Sequence, residues 1–328
     1  MKCPLTQAGL IALAVLICFW SAVAGKEPVC HGCGRQIVQR EYISVDGLNF
    51  HAACFRCAQC RQPITGEVRR QDTLYYDREC YQKHLSLWCA ICGGEIIGEY
   101  VRDYWGNAYH IEHVDQSPRC DYCGRFITDK TSQGGYRYDD GRMICGICQK
   151  SAIVDGETAQ RLMKDVANRL AAFDVDVDAA DISLALVGKK ALNERAESIS
   201  NDLSGLTVRN VQTLGDSVVT DECTVYALTG MPRQCFVKVM AHELMHVWLG
   251  SHADADADAI ITEGSCNYAA YLVLSRDDDP MVRYQLDQMV ADSDAVYGSG
   301  FRAVKTFVDE HGVPYWLNYL KTNTSLPR

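Results

Sequence analysis

The chain has 328 residues, room for about two domains, and a formal net charge of −10. The charge is uneven: residues 1–150 carry 17 basic and 16 acidic groups, residues 151–328 carry 15 and 26. No basic face is available for nucleic acid or an anionic membrane, and 48% hydrophobic residues exclude a largely disordered chain.

Residues 1–24 read as a secretory leader. Lys2 supplies the positive start, Leu10 to Val23 is an uncharged apolar run, and Ala22-Val23-Ala24 offers small residues at a cleavage site. A retained anchor is the alternative, but the run is short for a span. The expectation is export, to a periplasm or to the exterior, with no other membrane association.

Fourteen of the 17 cysteines lie before residue 150. Cys30-x2-Cys33 is followed after 17 residues by His51-x2-Cys54, then Cys57-x2-Cys60, then after 19 residues Cys80-x3-His84. Eight ligands in this order predict two tetrahedral zinc sites: Cys30, Cys33, His51 and Cys54, then Cys57, Cys60, Cys80 and His84. The pattern resembles a LIM domain, over residues 25–86. A second, LIM-like unit over 87–152 predicts a third site from Cys89, Cys92, His110 and His113 and a fourth from Cys120, Cys123, Cys145 and Cys148. It departs from the pattern: His113 replaces a cysteine, and six residues instead of two separate it from Cys120. Six disulfides are the competing use of twelve exported thiols, but histidines at ligand spacing have no role in them. Each site has four protein ligands and no open position, so these zincs read as structural, in units that either dock a protein substrate or regulate.

Beyond Cys148 the metal spacing stops. Asp155 is placed to cap a helix with Leu162, Met163, Val166, Leu170 and Phe173 at helical spacing. An acidic loop, Asp174 to Asp181, leads to a strand over Ile182 to Val187 and a helix over Lys189 to Ala196. Leu206 to Arg209 and Val218 to Thr229 read as further strands. A long apolar helix over about Cys235 to Leu249 follows the turn Gly230-Met231-Pro232. Further helices are predicted over about 260–275, 280–291, 297–310 and 314–321. This order predicts an α+β domain over 153–328 with a small sheet.

The chemistry sits on the long helix. His242, Glu243 and His246 form His-Glu-x-x-His, which puts both imidazoles on one helical face. A helix apolar nearly all round is buried, and buried imidazoles and carboxylate are costly without a metal. Two residues compete for the third ligand. Glu263, 17 positions after His246, would come from the next helix, as in glutamate-type zincins. His252 has metzincin spacing, but the turn that arrangement needs calls for glycine where Leu249 stands. A catalytic zinc on His242, His246 and Glu263 leaves a position for water that Glu243 deprotonates, predicting hydrolysis of peptide bonds. The strand Thr224 to Thr229 is the expected edge for an extended substrate. His311 and Tyr315 are candidate oxyanion donors. Cys223 and Cys235 either pair or stay free, and Cys266 reads as packed.

Several stretches together resemble the plant organ-size-regulating LIM peptidases of the "DA-one" type. They are Asp140-Gly-Arg-Met-Ile-Cys145-Gly-Ile-Cys148, Gly230-Met-Pro-Arg233, Ala241-His-Glu-Leu-Met-His-Val-Trp248, Glu263-Gly-Ser-Cys266 and Tyr297-Gly-Ser-Gly-Phe-Arg302. The resemblance implies tandem LIM-type zinc-binding units followed by a zincin-like (glutamate-zincin) metallopeptidase domain, with about four structural zincs and one catalytic zinc, and it favours Glu263 as ligand. The leader departs from that plant pattern, and an exported bacterial relative is the simplest account. The alternative function is a non-catalytic LIM-based protein-binding scaffold with an inactive zincin fold.

Overall fold

The structure, a computed structural model, describes residues 16–17, 27–38, 41–196, 203–214, 217–253 and 256–327. The expected leader therefore lies outside the described residues, apart from the pair Leu16–Ile17. The chain divides into two compact units, one ending at Ser117 and one starting at Pro118. That division falls inside the stretch 87–152, in the six residues between His113 and Cys120. No helix among the described residues is long and apolar enough to cross a membrane.

The first unit is built from short hairpins, each too small to bury a core unaided. Ile43–Val45 pairs with Leu48–Phe50, Val68–Gln71 with Leu74–Asp77, and Tyr100–Arg102 with Ala108–His110, all antiparallel. Its small core gathers Phe50, Phe55, Ile64, Tyr76 and Tyr81 around Cys30 and Cys57.

The second unit opens with the Cys120 to Cys148 segment and continues into a helical domain with a three-stranded sheet. Helix α1 (Gly156–Ala171) starts where Asp155 accepts the Thr158 N–H at 2.8 Å, and it buries Leu162, Met163, Val166 and Leu170 at the predicted spacing. Strand β1 (Ile182–Val187) and helix α2 (Lys189–Arg195) follow as expected. Strands β2 (Gly205–Leu214) and β3 (Ser217–Leu228) pair antiparallel; β3 lies where Val218 to Thr229 was expected, and β2 is longer than the Leu206–Arg209 stretch predicts. The sheet order is β1-β3-β2, with β1 parallel and β2 antiparallel to β3. This corrects the expected edge. Thr224 to Leu228 lies in the central strand, hydrogen-bonded on both sides, so it has no free backbone groups; the edge nearest the long helix is β2.

Helix α3 (Arg233–His252) packs against β2 and against α4 (Ala259–Leu274), which Asp258 caps by accepting the Ile261 N–H at 2.8 Å. Helices α5 (Pro280–Ala291), α6 (Tyr297–His311) and α7 (Val313–Leu320) complete the unit. Helices α4 and α6 cross at two glycines. A Cβ on Gly264 would lie 2.5 Å from the Gly300 carbonyl, and one on Gly300 2.6 Å from the Ile260 carbonyl oxygen. Both obstacles are backbone, which cannot swing aside. Gly264→Ala is therefore expected to cost about 1–3 kcal/mol by overpacking. Denaturant unfolding checks it, and an unchanged midpoint would mean the helices can separate freely.

Candidate metal centre

Three clusters in the cysteine-rich segment gather the expected ligands, and a fourth gathers three of its expected four. Cys30, Cys33, His51 and Cys54 converge, as do Cys89, Cys92, His110 and His113, and Cys120, Cys123, Cys145 and Cys148. Their spacings suit a shared zinc: His51 Nδ1 lies 3.5 Å from Cys33 Sγ, His113 Nδ1 3.4 Å from Cys89 Sγ, and the Cys123 and Cys145 sulfurs are 3.7 Å apart. Tetrahedral zinc with bonds of about 2.0–2.3 Å sets its donors about 3.3–3.8 Å apart.

The remaining cluster corrects one ligand. Cys57, Cys60 and Cys80 meet Asp77, not His84. His84 is the last residue of the helix Arg78–His84 and is exposed. Asp77 caps that helix, one turn before Cys80, and its carboxylate accepts the Cys80 N–H at 2.7 Å and the Cys60 thiol at 3.2 Å. The Cys80 N–H and the neighbouring thiols hold Asp77 low, at about 2.

The last cluster lies on α3 and α4. His242 Nε2 and His246 Nε2 are 3.2 Å apart, and Glu263 Oε2 lies 3.2 Å from the first and 3.6 Å from the second. That oxygen is buried and has no hydrogen bond of its own. Burial disfavours charge here, yet Cys266 and the Glu263 carboxylate push His246 upward, and the two imidazoles hold Glu263 down at about 2. An ionised carboxylate with an unbonded oxygen against two imidazoles is a donor set that fits a divalent cation, with donor separations matching a tetrahedral zinc.

The surroundings orient these groups. His242 Nδ1 donates to Asn267 Oδ1 at 3.0 Å, leaving Nε2 free to bind metal, and Asn267 Nδ2 donates to the Tyr297 carbonyl at 3.2 Å. The Tyr297 ring stacks beside His242 at 6.4 Å between centroids. Cys266 is fully buried, with Sγ within 4.8 Å of ligand nitrogens of both histidines, so it belongs to the site's surroundings and not only to the core. Glu243 is only 5% exposed. Its Oε2 accepts the Thr207 hydroxyl at 2.8 Å, and a Cβ on Gly205 would fall 2.5 Å from its Oε1, so β2 fixes the carboxylate from the side opposite α3.

His252 is elsewhere. Helix α3 continues through it without the sharp turn a third histidine needs. Its ring stacks flat on Trp248 at 4.6 Å, and Nδ1 donates to the Trp248 carbonyl at 2.8 Å. His311 and Tyr315 stack on each other and on Phe307, and the described contacts do not bring them to the cluster. Cys223 and Cys235 are both free thiols.

Residues 30–85 match the LIM domain family. The chain as a whole is homologous to plant LIM domain proteins. It is 27% identical to the LIM domain-containing protein HDR3 of Oryza sativa subsp. japonica, over 91% of this chain and 74% of that protein. It is 25% identical to Protein DA1 of Arabidopsis thaliana (91% and 68%) and 24% identical to Protein DA1-related 2 of the same plant (92% and 70%). The LIM domain thus contains the Cys30 and Cys57 clusters.

Thr207 and Gly205 carry no signal in sequence, because 36 residues and a strand crossing separate Thr207 from Glu243. Asn267 and Cys266 were open to inference: they follow Glu263 by four and three positions, on the same helical face. The motif Glu263-Gly-Ser-Cys266 resolves into four roles, since Ser265 also accepts the buried Trp316 indole N–H at 3.2 Å.

Proposed function

We propose that residues 153–328 form a zincin-like, zinc-dependent endopeptidase, with structural zinc in the four clusters ahead of it and the LIM units docking substrate or regulating. The convergence of His242, His246 and an otherwise unbonded Glu263 carboxylate oxygen carries this reading. The resemblance to LIM peptidases supports it.

His242, His246 and Glu263 would hold the zinc, which supplies Lewis acidity toward water and a substrate carbonyl. Glu243 takes the proton of the attacking water and passes it to the leaving amine. Thr207 keeps that carboxylate in one orientation, and Asn267 keeps His242 in one tautomer. Strand β2 has no strand on its outer side among the described residues, so an extended peptide can pair along it, beside Glu243. Tyr297 is the phenol at the site. Burial and the nearby Glu263 raise its pKa, keeping its proton available to a developing oxyanion.

The test is metal content together with cleavage of an unfolded protein such as casein. Glu263→Ala is expected to remove one zinc per chain and all chelator-sensitive cleavage, whereas His252→Ala removes neither. Loss of zinc from His252→Ala with Glu263→Ala fully loaded would overturn the ligand set. A fully zinc-loaded chain that cleaves nothing would favour the binding scaffold.

A further inference from the structure

A cavity of about 590 Å³ lies in the second unit, one turn of α3 before the metal cluster. Lys238 and Val239 form its α3 wall, Ser204 and Leu228 contribute from the strand ends, and Arg142 and Lys189 line it as well. Its place is tied to the chemistry. Lys238 precedes His242 by four residues and Val239 precedes Glu243 by four, so each pair shares a helix row. A Cβ on Gly205 would meet both Val239 Cγ1, at 2.6 Å, and Glu243 Oε1, at 2.5 Å, so the cavity-lining Val239 and the Glu243 carboxylate flank the same backbone position on β2.

The charges in this cavity are not all matched. Arg142 is held by Asp140 through two nitrogens, at 3.0 and 2.8 Å, and Asp140 also faces the Lys189 backbone N–H at 3.4 Å. Asp121 accepts the Met143 N–H at 2.7 Å. The Lys238 ammonium makes no hydrogen bond or ion pair among the described residues. Burial pushes its pKa down, opposed by Cys235 and by Asp292, neither of which comes within ion-pair distance. Lys238 is half-buried and lines the cavity, so its ammonium is a cation without a protein counter-charge that a ligand carboxylate entering there would pair with.

We infer that this cavity is a substrate subsite for a carboxylate, with Lys238 as its counter-ion. The inference rests on the peptidase reading for its role but not for its test. The carboxylate could come from an Asp or Glu side chain or from a free C terminus, and both present the same group.

The experiment uses the full chain carrying Glu243→Gln, which binds without turnover. Fluorescein-labelled octapeptides of otherwise identical sequence carry one Glu, Gln or Lys and end in an amide or a free carboxylate; anisotropy reads their affinity. The Glu peptide, or the free-acid peptide, is expected to bind about 10- to 100-fold tighter than its Gln or amide counterpart. Adding Lys238→Gln should erase that difference, and Lys238→Glu should turn the preference toward the Lys peptide, which an unfolded chain cannot do. The amide and free-acid arms tell the two carboxylate sources apart. A parent chain without acidic preference, or one whose preference survives Lys238→Gln, overturns the inference. Lys238-dependent binding in a chain whose Glu243 form cleaves nothing would sink the peptidase reading and leave the subsite standing.

Discussion

Glu243→Gln is expected to lower the turnover of casein by about 10²- to 10⁴-fold, the usual contribution of a positioned general base, while zinc content and melting temperature stay as in the parent chain. The substitution keeps the shape and the oxygen that Thr207 holds at 2.8 Å, and it leaves His242, His246 and Glu263 untouched. What it removes is the capacity to accept a proton. A binding scaffold would show no such separation between metal retention and rate. Turnover within about twofold of the parent would show that Glu243 is only a buried carboxylate tied to β2, and the proposed role would have to be abandoned.

The second large effect concerns the Cys120 cluster. All four of these cysteines are buried, and the segment carrying them is tied into the helical domain of the same unit at several points. Arg142 donates to the Thr229 carbonyl at 3.1 Å and Tyr138 to the Gly230 carbonyl at 2.9 Å, gripping the turn that feeds α3. Gln285 on α5 donates to the Tyr122 carbonyl at 3.0 Å, and Ala152–Ile153 pairs with Met231–Pro232. Structural zinc contributes on the order of 10 kcal/mol of folding free energy, comparable with the whole stability of a domain. Cys145→Ser should therefore lower the melting temperature of the second unit by on the order of 10 °C or more and abolish cleavage without touching a catalytic group. Cys57→Ser, in the other compact unit, should remove a separate calorimetric transition and leave the second one in place. One shared transition lost in both variants would contradict this division.

Most of the grouping of the Cys and His side chains into clusters could be read from the sequence because ligand spacing is a local property. His242 and His246 share a face by helical geometry alone, and Glu263 needed only a following helix that packs back on α3. The errors lie where geometry is not local. The spacing Cys80-x3-His84 looks as good as Asp77-x2-Cys80; the choice falls to Asp77 because it ends a strand and caps a helix, which turns its carboxylate onto the cluster. The edge strand could not be read from Thr224 to Thr229, since alternation shows that a segment is a strand and not where it sits in a sheet. Gly205 and Thr207 were invisible for the same reason, because the contact that fixes Glu243 is made by strand placement. The expected leader lies outside the described residues and rests on its composition alone.

The spacer from Val114 to Arg119 runs between two clusters without borrowing a ligand from either. A protease cutting there would sever the polypeptide and divide no ligand set, giving an N-terminal piece with three of the clusters and a C-terminal piece with two. Nicking at that point would part the two compact units while leaving every ligand set whole within one fragment.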